Sequence, residues 1–177
     1  GVHTLSQRAT DAFERARSEL KRFVGAGADH ELVFTSGTTE ALNLVAHGLW
    51  AGGPETAWLR PGDEIIVSGL EHHANLVPWQ QAARRSGATL HILLPDAQGR
   101  LHTADLERLL TPRTRVLALT AGANATGERP PYEALLALAT RVGALTVLDA
   151  AQAVGHAMPG IATLDCDFMA FSGHKMY

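Results

Sequence analysis

The sequence predicts an α/β domain built on an open, mostly parallel sheet, and three features carry the prediction. Short apolar runs alternate along the chain with longer amphipathic stretches, the last two runs are nearly continuous in apolar residues, and polar side chains follow directly after five of the runs. Regular alternation of strand and helix signals is the mark of βαβ units. Nearly continuous apolar strands belong to sheets covered by helices on both faces.

The elements follow in order. From Leu5 to Val24, the residues Leu5, Ala9, Ala12, Phe13, Ala16, Leu20 and Phe23 recur at three- and four-residue steps, the spacing of an amphipathic helix. Residues 31–37 (ELVFTSG) read as a strand running into a glycine turn, and residues 38–50 (TTEALNLVAHGLW) as a helix with Ala41, Leu42, Val45 and Leu49 on one face. The same unit recurs: 63–69 (DEIIVSG) leads to 75–87 (NLVPWQQAARRSG), 89–95 (TLHILLP) to 103–110 (TADLERLL), and 115–127 (RVLALTAGANATG) to 130–143 (PPYEALLALATRVG). Strands at 144–150 (ALTVLDA) and 167–173 (DFMAFSG) complete the series, and residues 51–56 (AGGPET) and 60–64 (RPGDE) are polar turns. Neither repeats nor an interdomain linker interrupt the pattern, so residues 1–177 are read as one domain.

Composition limits the function classes. The chain has 177 residues, which at about 150 residues per domain fits one core burying roughly two thirds of its unfolded surface. With 46% hydrophobic and 19% charged residues, it reads as a soluble globular chain. A net charge of −3 without a basic cluster gives no reason to expect capture of nucleic acid or an anionic membrane. There is no apolar run of spanning length and no signal-peptide pattern at the start, so a cytoplasmic protein is expected. Cys166 is the single cysteine, which leaves no internal disulfide and no cysteine-based metal cluster, and no metal site is expected. Thirteen of the fifteen basic residues are Arg, so the two lysines, Lys21 and Lys175, stand out. The chain opens on Gly1 and stops at Tyr177 directly after the Lys175 motif, and is expected to be a piece of a longer protein.

In open α/β sheets ligands bind beyond the carboxyl ends of the strands. The residues there are Ser36, Gly37, Thr38 and Thr39; then Ser68, Glu71, His72 and His73; then Asn124 and Thr126; then Asp149 and Gln152; and finally Ser172, His174 and Lys175. A glycine turn entering a helix, as in SGTTE, offers unpaired N–H groups and a positive dipole end that can hold a phosphate. The same residues equally suit helix capping by Ser36 or Thr38. Asp149, ending the most apolar strand, costs free energy unless a cation or hydrogen-bond donor meets it, and a protonated ring nitrogen would serve; capping of the next turn is the alternative. His72 and His73 lack the spacing of a metal site and suit an aromatic platform or a surface pair. Lys175, behind Gly173 at the end of an apolar strand, is expected to be partly desolvated, which favours the neutral amine that attacks a carbonyl; a solvated lysine is the alternative. A phosphate cradle, a carboxylate for a pyridinium nitrogen, a stacking imidazole and an imine-forming lysine together are what pyridoxal 5′-phosphate demands.

These residues resemble the pyridoxal-phosphate-dependent cysteine desulfurases of aminotransferase class V, in the branch with the selenocysteine lyase-like enzymes. The resemblance is carried by GVHTLS, FTSGTTEALNLVA, EHHANLVPWQ, NATG, LDAAQAVGH and DCDFMAFSGHKMY, and it covers essentially the whole chain. It implies a fold-type I large domain, truncated before its last sheet strand, with the C-terminal small domain absent. The missing strand is antiparallel and would lie between 31–37 and 167–173, leaving those two without a bridge.

The resemblance further implies that Lys175 is the Schiff-base lysine and moves the proton at the substrate's α-carbon, and that His72 stacks on the ring and assists. Asp149 pairs with the pyridine nitrogen, Gln152 with the phenolic oxygen, and Thr38, Thr39, Ser172 and His174 hold the phosphate. Asn124 corresponds to an asparagine near cofactor and substrate carboxylate, although AGANATG departs from the family's Ser-Asn-Val. The implied reaction takes sulfur from L-cysteine, or selenium from L-selenocysteine, releasing L-alanine. In the cysteine reaction an enzyme persulfide forms and passes sulfur to an acceptor protein for iron–sulfur cluster or related biosynthesis, and the enzyme is a homodimer. The nucleophilic cysteine and the carboxylate-binding arginine lie in a C-terminal part without counterpart here. Cys166 precedes the last strand while Lys175 follows it, which puts the thiol at the wrong end of the sheet. Another class V aminotransferase or epimerase, or a non-catalytic cofactor-binding or dimerisation remnant, is the alternative.

Overall fold

The computed structural model describes residues 3–52, 56–156 and 158–176. Residues 53–55 of the AGGPET turn, and Gly1, Val2, Ala157 and Tyr177, lie outside the described residues. Five strands form one parallel sheet in the order β2-β1-β3-β4-β5: β1 is Glu64–Ser68, β2 Thr89–Leu93, β3 Thr114–Thr120, β4 Leu145–Asp149 and β5 Phe168–Ala170. Helices cover both faces, because successive side chains of a strand point to opposite sides. Ile65, Val67, Val116, Ala118 and Val147 pack on one face against helices α2 (Thr38–Trp50) and α3 (Val77–Ser86). Ile66, Leu117, Leu119 and Leu148 pack on the other against α4 (Thr103–Leu109) and α5 (Tyr132–Arg141). Each such Val, Leu or Ile side chain contributes roughly 1.5–3 kcal/mol by leaving water. This explains why the central strands carry no polar alternation.

Local chemistry sets the helix ends. Pro78 sits in the first turn of α3, where its missing N–H is not needed, and Gly87 closes that helix at φ 76°. Helix α1 (Thr4–Phe23) ends at Gly25, whose φ is 63° and whose added Cβ would lie 2.6 Å from the Gly160 Cα. Through that close approach the Ile161 N–H donates to the Val24 carbonyl at 3.0 Å, docking the short helix α6 (Ile161–Leu164). The apolar stripe of α1 has no buried residue; Leu5, Phe13 and Phe23 are all exposed, and Phe13 meets the Phe34 ring at a tilt of 53°, with Arg17 over both rings. No described helix is long and apolar enough to cross a membrane.

One expected element differs. Residues 31–35 form no strand, although the strand signal is strong. A strand exists only as part of a ladder, and among the described residues none pairs with this segment: β5, on its side of the sheet, bonds only to β4. The segment is tied to the sheet instead by Thr38 and Ser172, described next.

Candidate functional site

Helix α2 opens on Gly37, at φ 151°, a conformation rare for residues with a side chain. No side chain caps the helix. Thr38 instead reaches across to the segment after β5: its N–H donates to Ser172 Oγ at 3.0 Å, and the two hydroxyls lie 2.7 Å apart, both residues buried. Glu40 turns back to accept the Ser36 N–H at 2.5 Å, and that bond holds its carboxyl below the usual range. Among the described residues the N–H groups of Thr39 and Glu40 have no acceptor, so the capping alternative does not describe this helix start.

Strand β4 brings Asp149 to the sheet's C-terminal edge, in register between Thr120 of β3 and Ala170 of β5. Only 4% of Asp149 is exposed. Its Oδ1 accepts the Ala151 N–H at 2.9 Å, and among the described residues Oδ2 has no donor. Burial raises its carboxyl above the ordinary value, opposed by the Ala151 N–H and by the charges of Lys175 and His72. Those two residues therefore lie within electrostatic reach of Asp149, one from the 3₁₀ turn Gly173–Lys175 after β5, the other from the turn after β1. His72 Nδ1 accepts the Ala74 N–H at 3.1 Å, which makes Nε2 the ring nitrogen left to carry a proton.

Gln152 and Asn124 meet directly, Gln152 Nε2 donating to Asn124 Oδ1 at 2.6 Å. The structure thus joins Thr38 with Ser172, Asn124 with Gln152, and Asp149 with His72 and Lys175. Thr39 and His174 lie at the same edge, but both are exposed and make no side-chain hydrogen bond. Lys175 is exposed, not partly desolvated as expected, because the 3₁₀ turn carries it beyond the core that β5 helps to bury. Cys166 is buried at the opposite end of the sheet; its thiol donates to the Phe168 carbonyl at 3.0 Å, and burial pushes it up to about 11.

The sequence reading assigned no role to Glu71. Its carboxyl is enclosed even though the residue as a whole keeps some solvent contact, and it accepts from the Thr120 N–H at 2.7 Å, from Asn75 Nδ2 at 2.6 Å and from the Ser68 hydroxyl. Burial is the leading cause that lifts it to about 8, with the Asp149 charge adding to it. Its place directly before His72 in EHHAN was the available signal; that Thr120 supplies a donor depends on which strand lies beside β1. Clefts of about 460 Å³ beside the end of α1 and about 300 Å³ between α5 and α6 contain none of these residues. Among the described residues, the site is an open shelf along the strand ends.

The aminotransferase class-V family matches residues 1–177. A cysteine desulfurase of Salmonella choleraesuis (strain SC-B67) is 45% identical over 177 residues, which are 100% of this chain and 42% of that protein. The cysteine desulfurase CsdA of Escherichia coli, in S-sulfonic acid form, superposes with a TM-score of 0.86 at 40% identity over 99% of this chain and 44% of its own. The apo cysteine desulfurase of Thermococcus onnurineus NA1 gives 0.89 at 39% identity, over 99% of this chain and 42% of its own. The chain therefore spans less than half the length of these relatives, and its five-stranded parallel sheet fits their fold. By its sequence over all 177 residues and by its sheet, the chain belongs to the aminotransferase class V family, with cysteine desulfurases among its relatives.

Proposed function

We propose that the chain forms the single pyridoxal-phosphate-binding large domain, residues 1–177, of a cysteine desulfurase that removes sulfur from L-cysteine, leaves L-alanine, and passes the sulfur as an enzyme persulfide to an acceptor protein. The observation that carries this reading is Asp149: a buried carboxyl at the carboxyl end of the central strands, with one oxygen lacking a donor among the described residues and with Lys175 and His72 within electrostatic reach. A carboxylate so placed suits a cationic ring nitrogen. The start of α2 fits the other end of the cofactor, since among the described residues the Thr39 and Glu40 N–H groups lack acceptors beside the paired Thr38 and Ser172 hydroxyls.

When bound, pyridoxal phosphate supplies a carbonyl for an amine and an electron sink for the substrate's α-carbon. The protein's own residues do the rest. Thr38, Thr39, Ser172, His174 and the first turn of α2 hold the phosphate. Asp149 would pair with the ring nitrogen and keep it protonated, His72 would stack on the ring, and Gln152 would donate to the phenolic oxygen. Asn124, bonded to Gln152, would orient that donor and stand near the substrate carboxylate. Lys175 would hold the cofactor through its ε-amine, and that amine, once free, would move the proton at the substrate's α-carbon.

Cys166, buried and far up in pKa, is not the sulfur acceptor, so the persulfide forms on another cysteine. The unburied apolar stripe of α1 supports a homodimer. The cytoplasm is the expected site of action, and iron–sulfur cluster or related biosynthesis is the expected use of the sulfur.

The test is borohydride reduction of the full-length protein after addition of pyridoxal phosphate, followed by peptide mapping. Label on Lys175, absent in Lys175→Ala, together with alanine release from L-cysteine, supports the reading. Label on another residue, or none, overturns it. L-Selenocysteine as a competing substrate reports the preference.

A further inference from the structure

The hydrogen bonds around Glu71 have a fixed polarity. Trp79, fully buried, has an indole N–H that can only donate; it does so to Asn75 Oδ1 at 3.0 Å. Asn75, itself 0% exposed, must then present its Nδ2 hydrogens to Glu71, whose Oε2 accepts at 2.6 Å. At the other oxygen, Oε1 accepts the Thr120 N–H at 2.7 Å and is bonded to the Ser68 hydroxyl. One carboxyl group thus joins the end of β1, the end of β3 and the core of α3, and it does so from the residue immediately before His72.

We infer that Glu71 is a positioning residue, clamping the turn after β1 between β3 and Asn75 so that His72 is presented to the ligand site with its Nδ1 bound to the Ala74 N–H. The inference rests on the function proposed above only in what His72 then does. An amide cannot replace the carboxyl. A glutamine with its oxygen toward Thr120 would set its NH₂ against the Asn75 NH₂, and turning it round would set the NH₂ against the Thr120 N–H. A neutral carboxyl still serves: protonated on Oε1 it donates to Ser68 Oγ, accepts from Thr120 on the same atom, and keeps Oε2 for Asn75. That tolerance matches an enclosed group lifted to about 8, whose charged neighbour on the packed elements is Asp149 of β4. Ser68 on β1, Thr120 on β3, Asn75 in the 3₁₀ turn and Trp79 on α3 are neutral.

The same polarity supplies a rescue. In the double variant Glu71→Gln/Asn75→Asp, the new carboxylate accepts from Trp79 on one oxygen and from the glutamine NH₂ on the other, while the glutamine oxygen accepts from Thr120. Every bond returns with the carboxylate moved one residue along the relay. The experiment uses the full-length protein with ¹⁵N-labelled histidine, first without cofactor and then titrated with pyridoxal phosphate. E71Q is expected to lose the single His72 tautomer and to bind the cofactor about tenfold more weakly, as one buried donor is left without an acceptor. N75D alone, which sets two carboxyls face to face, is expected to be impaired as well, and the double variant to recover both readouts to within about threefold. Failure of E71Q to change the His72 signal overturns the inference, whatever the cofactor does. If E71Q does not fold, the double variant decides: a wild-type His72 signal supports the inference, and a folded protein with an altered signal overturns it. Failure of wild type itself to bind pyridoxal phosphate refutes the proposed function and leaves the His72 readout intact.

Discussion

Replacing Asp149 by Asn should stabilise the cofactor-free protein while it removes the group proposed to sustain catalysis. The substitution preserves volume and the one hydrogen bond, since an asparagine oxygen accepts the Ala151 N–H as Oδ1 does at 2.9 Å. What it deletes is a charge on a residue only 4% exposed. Burial raises the folded-state pKa above the unfolded value of 3.8. A carboxyl shifted in that direction stabilises the fold fully below the unfolded pKa, and the contribution is lost as pH rises through the folded pKa. Wild type therefore carries the cost at pH 8 and little of it near pH 4, whereas D149N carries it at neither. An incompletely compensated buried polar group costs about 1–3 kcal/mol, which for a domain of this size is a melting shift of about 2–10 °C. The Asp149 charge also raises Glu71, so its removal acts in the same direction there. Thermal unfolding followed by circular dichroism at about pH 4 and pH 8, without cofactor, is the assay. Equal melting temperatures at pH 8, or a less stable variant at that pH alone, would refute the argument that burial outweighs the Lys175 and His72 charges.

Two further outcomes follow from the same packing. Cys166 should resist a thiol reagent such as a disulfide dye in the native protein and react fully only after denaturation, since its thiol is 4% exposed and pushed up to about 11; prompt native labelling would contradict its placement. Gly25→Ala should cost about 1–3 kcal/mol in urea unfolding, because it combines φ 63° with a Cβ 2.6 Å from Gly160. Gly99→Ala, at φ 82° with nothing within 4 Å, is the control for strain alone, and equal losses would show that the α1–α6 contact is not tight.

Particular residues show how far the sequence could be read. Ile65 and Ile66, or Leu117 and Ala118, already look like strands covered on both sides, and they pack onto different helix layers as such strands must. The end of β4 could be located from the polar residues that follow LTVL, and it does carry Asp149 to the edge. Residues 31–35 misled for a reason outside the segment: β-propensity needs a neighbouring strand to become a ladder. Helix α6 was missed because four residues, Ile161–Leu164, carry no measurable period. Lys175 was misjudged because burial depends on what surrounds a turn, and the turn itself does not reveal that.

Periodicity and chain connectivity are local or nearly so, and they already carry the fold class and the order of the elements from β1 to β5, apart from the 31–35 segment and helix α6. Only the tertiary structure decided which of the strand-end residues touch. Asn124 meets Gln152 from 28 positions away, Thr38 meets Ser172 across 134, and Glu71 finds Thr120 across 49. Those partners follow from the sheet order β2-β1-β3-β4-β5. That order is a global choice about which apolar faces are buried together, and no short stretch of sequence encodes it.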